Sequence, residues 1–282
     1  MMFLNLEWPA MAGNASFGMN CRRAHSRMEG QVSSSERAGI VPRPGLSAAP
    51  ASVRGFWPFL KAPALPDRPA GLSGAALTST VRLLLLDLAL LAPIVLVAGL
   101  AQMAGYQLPD NVFTNMPLTG PLITLIVIGA PLMEELLFRS WLSGRPQHIA
   151  PPLLIVAALA ALILLGPAQP LAAGATALTA LVVAGIAAWR WRGRNPLPFF
   201  RRHFRWFYLA ATAAFASVHL TNYTEGTALF LLPLVIPQFL TGLVLGYVRV
   251  RNGLWSAILL HALHNGVIVG AVLLATRAAG VH

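Results

Sequence analysis

An all-α, polytopic membrane bundle of about seven transmembrane helices is the fold this sequence predicts. Three observations lead there. Apolar residues make up 56% of the 282 residues and charged residues only 10%, which is not the composition of a soluble domain. The apolar residues fall into runs that approach the ~20 residues a hydrocarbon core of ~30 Å requires. Between those runs the Lys and Arg residues sit in alternate connections, as a chain threaded back and forth across a bilayer demands.

Residues 1–80 read as a basic, disordered cytoplasmic tail. Ser, Pro, Gly and Arg are clustered there, and no apolar period is sustained between Arg22 and Arg54, so the segment cannot bury enough surface to offset chain entropy. It does not read as a signal peptide, because Glu7 and Pro9 interrupt the first apolar residues. Within the tail, residues 54–61 hold Phe56, Trp57 and Phe59 beside Arg54 and Lys61, a pattern suited to the membrane surface or to a plain linker.

The membrane domain spans 81–277. Its apolar segments lie near 83–104, 119–142, 149–166, 171–189, 206–222, 228–248 and 253–275. The third and fourth are short and joined by Gly166-Pro-Ala-Gln-Pro170, which predicts a tight helical hairpin or a single re-entrant element. Pro233 and Pro237 predict a kink in the sixth, and Gly242 and Gly246 give it a face that permits close helix approach.

Charge orients the bundle. Nine Lys and Arg residues precede the first span, counting Arg82, and six Arg residues lie between 190 and 205. The connections 105–118, 167–170 and 223–227 contain none. This predicts a cytoplasmic N-terminus and an outer C-terminus. The net charge of +11 is therefore a topology signal, met by the lipid bilayer, and nucleic acid is not the expected partner. Arg to the near exclusion of Lys, with abundant Ala, suits a bacterial chain and a cytoplasmic (inner) membrane. The single cysteine, Cys21, rules out an intrachain disulfide and a Cys-based zinc cluster.

Against this background, Glu134, Glu135 and Arg139 inside the second span stand out. Each would cost ~2.5–3.5 kcal/mol at the bilayer centre unless paired or facing a polar cavity. Glu135 and Arg139, four apart with the acid first, suit an intrahelical ion pair. Glu134 points about 100° away and is free to face a cavity. The other polar residues within the spans are Asp87, His219, Gln238, His261, His264 and Asn265. His261 and Asn265 share a helix face, and Phe215 lies one turn before His219. At 1.5 Å per residue, Glu134 and His261 both fall ~12 Å from the cytoplasmic edge, with Asn265 at ~18 Å and His219 at ~20 Å. Asp87 is expected to pair with Arg82 or to snorkel, Gln238 to join helices, and His264 to pack or to stand behind the motif residues.

A carboxylate in an apolar, partly dry site suits a general base acting on water. Two histidines and an asparagine opposite it could bind a metal, or position water and stabilise an oxyanion. The chemistry indicated is hydrolysis of a carbonyl compound. No HExxH is present, which excludes an ordinary zincin.

Three motifs stand in order on separate helices: Glu134-Glu135-x-x-x-Arg139, Phe215-x-x-x-His219 and His261-x-x-x-Asn265. Together with the glycine-bearing stretch from Pro237 to Tyr247, they resemble the CPBP family, the CAAX proteases and bacteriocin-processing (Abi) enzymes, over residues 118–270. The resemblance implies an intramembrane endopeptidase that acts on a membrane-associated protein or peptide. By position, it makes Glu134 the residue that activates water, with His219 and His261 flanking it and Asn265 stabilising the oxyanion. Glu135, Arg139 and Phe215 would support the site. His219 and His261 with Glu134 could ligate Zn2+, so both metal-assisted and metal-free hydrolysis stand open. The alternative functions are a non-catalytic scaffold or bacteriocin self-immunity factor, and a transporter.

Overall fold

The computed structural model describes residues 49–112, 116–278 and 280. The expectation for residues 1–48 lies outside them, and the described helices belong to the unit Ser47–His282. Nine helices run along the described chain: α1 Val53–Lys61, α2 Gly74–Met103, α3 Gly120–Phe138, α4 Pro146–Leu165, α5 Pro170–Arg190, α6 Pro198–Arg202, α7 Phe204–Val218, α8 Ala228–Arg251 and α9 Leu254–Ala278. Six of them (α2, α3, α4, α5, α8 and α9) are long and apolar enough to cross a membrane. The fifth apolar segment of the sequence becomes α7, whose 15 residues reach only ~22 Å. A 3-10 turn, His219–Asn222, continues it.

Side-chain caps and prolines set the helix starts. Ser52 Oγ accepts the Gly55 N–H and Ser73 Oγ the Ala76 N–H, each satisfying a donor that the first turn leaves orphaned. Pro121, Pro146, Pro170 and Pro198 stand in first turns, where a missing N–H costs nothing. Residues 53–61 form α1, with Arg54, Trp57 and Lys61 exposed. Its buried Phe56 packs on Tyr247 at 5.6 Å between ring centroids.

Helices α4 and α5 form the hairpin. Ala158, Ala173, Ala177, Ala184 and Ala187 are buried, small side chains that let two helices approach closely. In α8, a 3-10 segment Leu232–Val235 interrupts the helix where Pro233 and Pro237 predict a break. Beyond it, the Gly242 and Gly246 face receives α7. A Cβ on Gly246 would lie 2.6 Å from Tyr208 Cε2, and one on Gly242 would lie 3.0 Å from Thr212 Cγ2.

One polar side chain ties three elements at one end of the bundle. Asn252, fully buried between α8 and α9, accepts the Ala51 N–H at 2.7 Å. Its amide donates to Ser79 Oγ at 2.9 Å and to Ser256 Oγ at 3.2 Å. Thr80 and Ser256 hydroxyls meet at 2.6 Å. This clamp holds α2 against α9, the two helices that carry Asp87 and His261.

Gly246→Ala should lower stability by about 1–3 kcal/mol, because the new methyl drives into the Tyr208 ring. Thermal unfolding in detergent tests this, with Gly99→Ala as control: a Cβ on Gly99 meets nothing within 4 Å, so no comparable loss is expected.

Candidate active site

Helix α3 contributes the acids. Glu135 is fully buried, and its Oε1 accepts from Arg139 Nη1 at 2.9 Å, the pair the four-residue spacing predicts. The Arg139 guanidinium lies over the Phe215 ring, 3.7 Å from its centroid, so its charge is met by both a carboxylate and an aromatic face. Arg249 of α8, also buried, donates from Nε to the Arg139 carbonyl at 2.8 Å and from Nη2 to the Ser140 carbonyl at 2.9 Å. The Arg139 carbonyl also accepts the Leu142 N–H at 3.2 Å, so Arg249 adds a second donor at the end of α3.

His261 of α9 sits between the two glutamates. Its Nδ1 is 3.0 Å from Glu135 Oε1. That oxygen also accepts from Arg139, so the imidazole donates from Nδ1, and in the neutral ring Nε2 carries the lone pair. Nε2 stands 3.7 Å from Glu134 Oε2. Glu134 itself is 29% exposed and makes no ion pair with Arg139.

Broken helical ladders aim two further side chains. At the end of α7 the His219 N–H bonds to the Ala216 and Ser217 carbonyls, which leaves the Phe215 carbonyl for the imidazole. Nδ1 donates to it at 2.8 Å, and Nε2 of His219 is again bare. In α3 a π-helical stretch, Leu125–Gly129, precedes the acids, with the Ala130 N–H on the Leu125 carbonyl. In that register the next acceptor, Ile126, would need an N–H from residue 131. Residue 131 is proline and has none. The Asn265 amide supplies the missing donor at 2.8 Å.

These groups face two cavities. One, of about 360 Å³, is lined by His219, His261, His264, Asn265, Gln238 and Phe215, with apolar walls that include Leu91 and Val95 of α2. The other, of about 170 Å³, takes in Glu134, His219, Asn222 and Asn265. Glu135 and Arg139 line neither cavity and are buried. Glu134, His219, His261 and Asn265 are thus brought to one region.

Other residues behave differently from their sequence expectation. Gln238 lines the larger cavity instead of only joining helices. Asp87 pairs with His264, not Arg82: the contact is 2.5 Å, and Arg82 is exposed. Its only signal in the sequence was a carboxylate in an otherwise apolar span. Asn222, also at the cavity, had no signal, and Arg249 looked like a topology charge.

Among the described residues, no three His, Cys, Asp or Glu side chains are arranged to hold a metal ion.

Residues 117–267 match the family described as Type II CAAX prenyl endopeptidase Rce1-like. The chain belongs to this family. No curated protein and no solved structure matches it. Membership makes this Rce1-like chain an integral membrane protease of the CAAX type. The matched stretch contains all seven residues of the three motifs, while Asp87 and the whole of α2 lie outside it.

Arg139→Ala should destabilise the Rce1-like fold by about 3–5 kcal/mol, since it strands a buried carboxylate. Unfolding measurements should show the double variant Glu135→Ala/Arg139→Ala losing less than the sum of the two single losses.

Proposed function

We propose that the chain is an endopeptidase that hydrolyses a peptide bond of a membrane-associated protein or peptide with water activated by Glu134. The observation that carries this reading is the division of labour between adjacent glutamates. Glu135 is consumed by Arg139 and His261. Glu134 reaches the cavity with His219 and Asn265 and lies 3.7 Å from His261 Nε2.

The chemistry follows from that arrangement. A water hydrogen-bonded to Glu134 loses its proton to the carboxylate as its oxygen attacks the scissile carbonyl. The water's second hydrogen lies between the bare Nε2 atoms of His219 and His261, which share it and so orient the attacking lone pair. The carbonyl oxygen becomes an oxyanion. Asn265 spends one amide hydrogen on the Ile126 carbonyl, and the second is free to stabilise that charge. Collapse breaks the C–N bond, and Glu134 returns its proton to the leaving amine. One water is consumed, and one carboxylic acid and one amine are released.

Placing the N-terminus and the entrance to the site in the cytoplasm rests on the alternation of Arg residues. The same reading assigns the chain to a bacterial cytoplasmic membrane. The substrate class is an apolar or lipid-held peptide, in keeping with the cavity walls built by Leu91, Val95, Ile268 and Val269.

The test is a comparison of protein termini in membranes holding the wild-type chain or Glu134→Gln at equal abundance. New peptide ends that require Glu134 are expected, and they would identify the substrate. Identical termini would overturn the reading. On the peptide so found, His219→Ala and His261→Ala should each lose about 10²–10⁴-fold in rate while remaining folded.

A further inference from the structure

We propose that Asp87 and His264 form a net-neutral dyad through which His264 donates a hydrogen bond to a main-chain carbonyl oxygen of the bound peptide. The proposal rests on the peptidase reading above and adds a substrate-binding residue, His264, and a positioning residue, Asp87.

Asp87 lies thirteen residues into α2, ~20 Å along the helix, and is 1% exposed. Its Oδ2 is 2.5 Å from His264 Nδ1, and its Oδ1 is buried with no hydrogen-bond partner among the described residues. Among the described residues no other donor shares the charge, and His264 is the group in place to neutralise it. A bare carboxylate beside a neutral imidazole would leave an uncompensated charge in an apolar bundle.

Two arrangements of the pair are neutral. In one, a carboxylate meets an imidazolium, and both ring nitrogens carry hydrogen. In the other, a carboxylic acid donates to Nδ1, and the hydrogen of the neutral ring is on Nε2. Both put a hydrogen on His264 Nε2. His264 lines the larger cavity together with His219 and His261. Those two rings spend their Nδ1 hydrogens on Phe215 and Glu135 and turn bare nitrogens outward. His264 is therefore the imidazole of this group that acts as a donor.

The acceptor follows from charge. A neutral donor suits a neutral carbonyl oxygen, whereas a carboxylate would bring an anion to a cavity whose lining holds no Lys or Arg. The apolar residues beside the dyad fit the same ligand: Leu91 and Val95 follow Asp87 at four-residue spacing on α2 and line the cavity. Since α2 precedes the 117–267 stretch, Asp87, Leu91 and Val95 lie outside the matched family region, and His264 lies within it.

The experiment uses the full chain in lipid nanodiscs. With 15N-labelled histidine, long-range 1H–15N correlation reports which ring nitrogen is protonated, and His264→Gln assigns the His264 signal. Wild type should show hydrogen on His264 Nε2. In Asp87→Asn the ring should donate from Nδ1 to the new amide oxygen, leaving Nε2 bare. Kinetics then use an internally quenched peptide built on the cleavage site that Glu134-dependent termini reveal. Asp87→Asn and His264→Phe should raise KM about 10-fold with kcat little changed, the pattern of a lost ground-state contact. His264→Gln, which keeps an N–H near the Nε2 position, should retain a KM near that of wild type. If His264→Phe does not fold, Asp87→Asn and His264→Gln carry the kinetic test. A bare Nε2 in wild type, or an unchanged KM in folded Asp87→Asn or His264→Phe, overturns the dyad. Cleavage that survives Glu134→Gln would instead overturn the peptidase reading itself.

Discussion

The structure depends on the neutralisation of one buried carboxylate. Glu135 Oε1 accepts from Arg139 on its own helix and from His261 on α9. Removing Arg139 would leave charge in surroundings that cannot solvate it, and removing His261 would cost the carboxylate its second donor. Because the donors come from different helices, neutralisation also fixes how α3 and α9 are rotated against each other. Phe215 of α7 joins the assembly through its ring, with Arg139 over the face at 3.7 Å and the rings of His219 and His261 at 4.7 and 5.7 Å. Arg249 of α8 holds the end of α3 from behind. Four helices are thus set by the requirements of one charged pair, and Glu134 inherits its direction from them.

A second theme is the use of interrupted helices. Unpaired backbone carbonyls inside a membrane are tolerated only where other groups satisfy them or where they line a cavity. Here the satisfying groups are site residues. The π-helical turn and Pro131 leave the Ile126 carbonyl open, and Asn265 closes it. The 3-10 turn after α7 leaves the Phe215 carbonyl open, and His219 closes it. Each backbone irregularity orients a polar side chain that a regular helix would leave free to rotate. This is a physical reason for a π turn to sit one turn before a pair of acids.

The surroundings of the family-matched stretch take part as well. Asn252 gathers Ala51, Ser79 and Ser256, and so joins the segment before α1 and helix α2 to the α8–α9 corner. Helix α2 then runs along the cavity with Asp87, Leu91 and Val95 on one face. The segment before α3 and the turn that bears His219 are also stitched together: the Val112 N–H bonds to the Asn222 carbonyl at 2.8 Å, and the Thr224 N–H to the Asp110 carbonyl at 3.1 Å. The turn is thereby anchored at the end opposite His219.

The sequence by itself determined the all-helical membrane class, the approximate helix positions, the break near Pro233, and the glycine face that α7 approaches. It also determined the Glu135–Arg139 pair, because the pitch of a single helix fixes which residues four apart meet. The meeting of Glu134, His219, His261 and Asn265 in one region was legible only through the motifs, since spacing says nothing about how separate helices are turned. The pairing of Asp87 with His264, 177 residues apart, the capping of α3 by Arg249, and the presence of Asn222 and Gln238 at the cavities were decided by the tertiary structure alone. So was the length of α7, which a 3-10 turn ends at His219 before an apolar run would require it. Inside one helix, sequence distance becomes direction through a constant period. Between helices, direction is set by packing, caps and charge neutralisation, and these exist only once the helices have met.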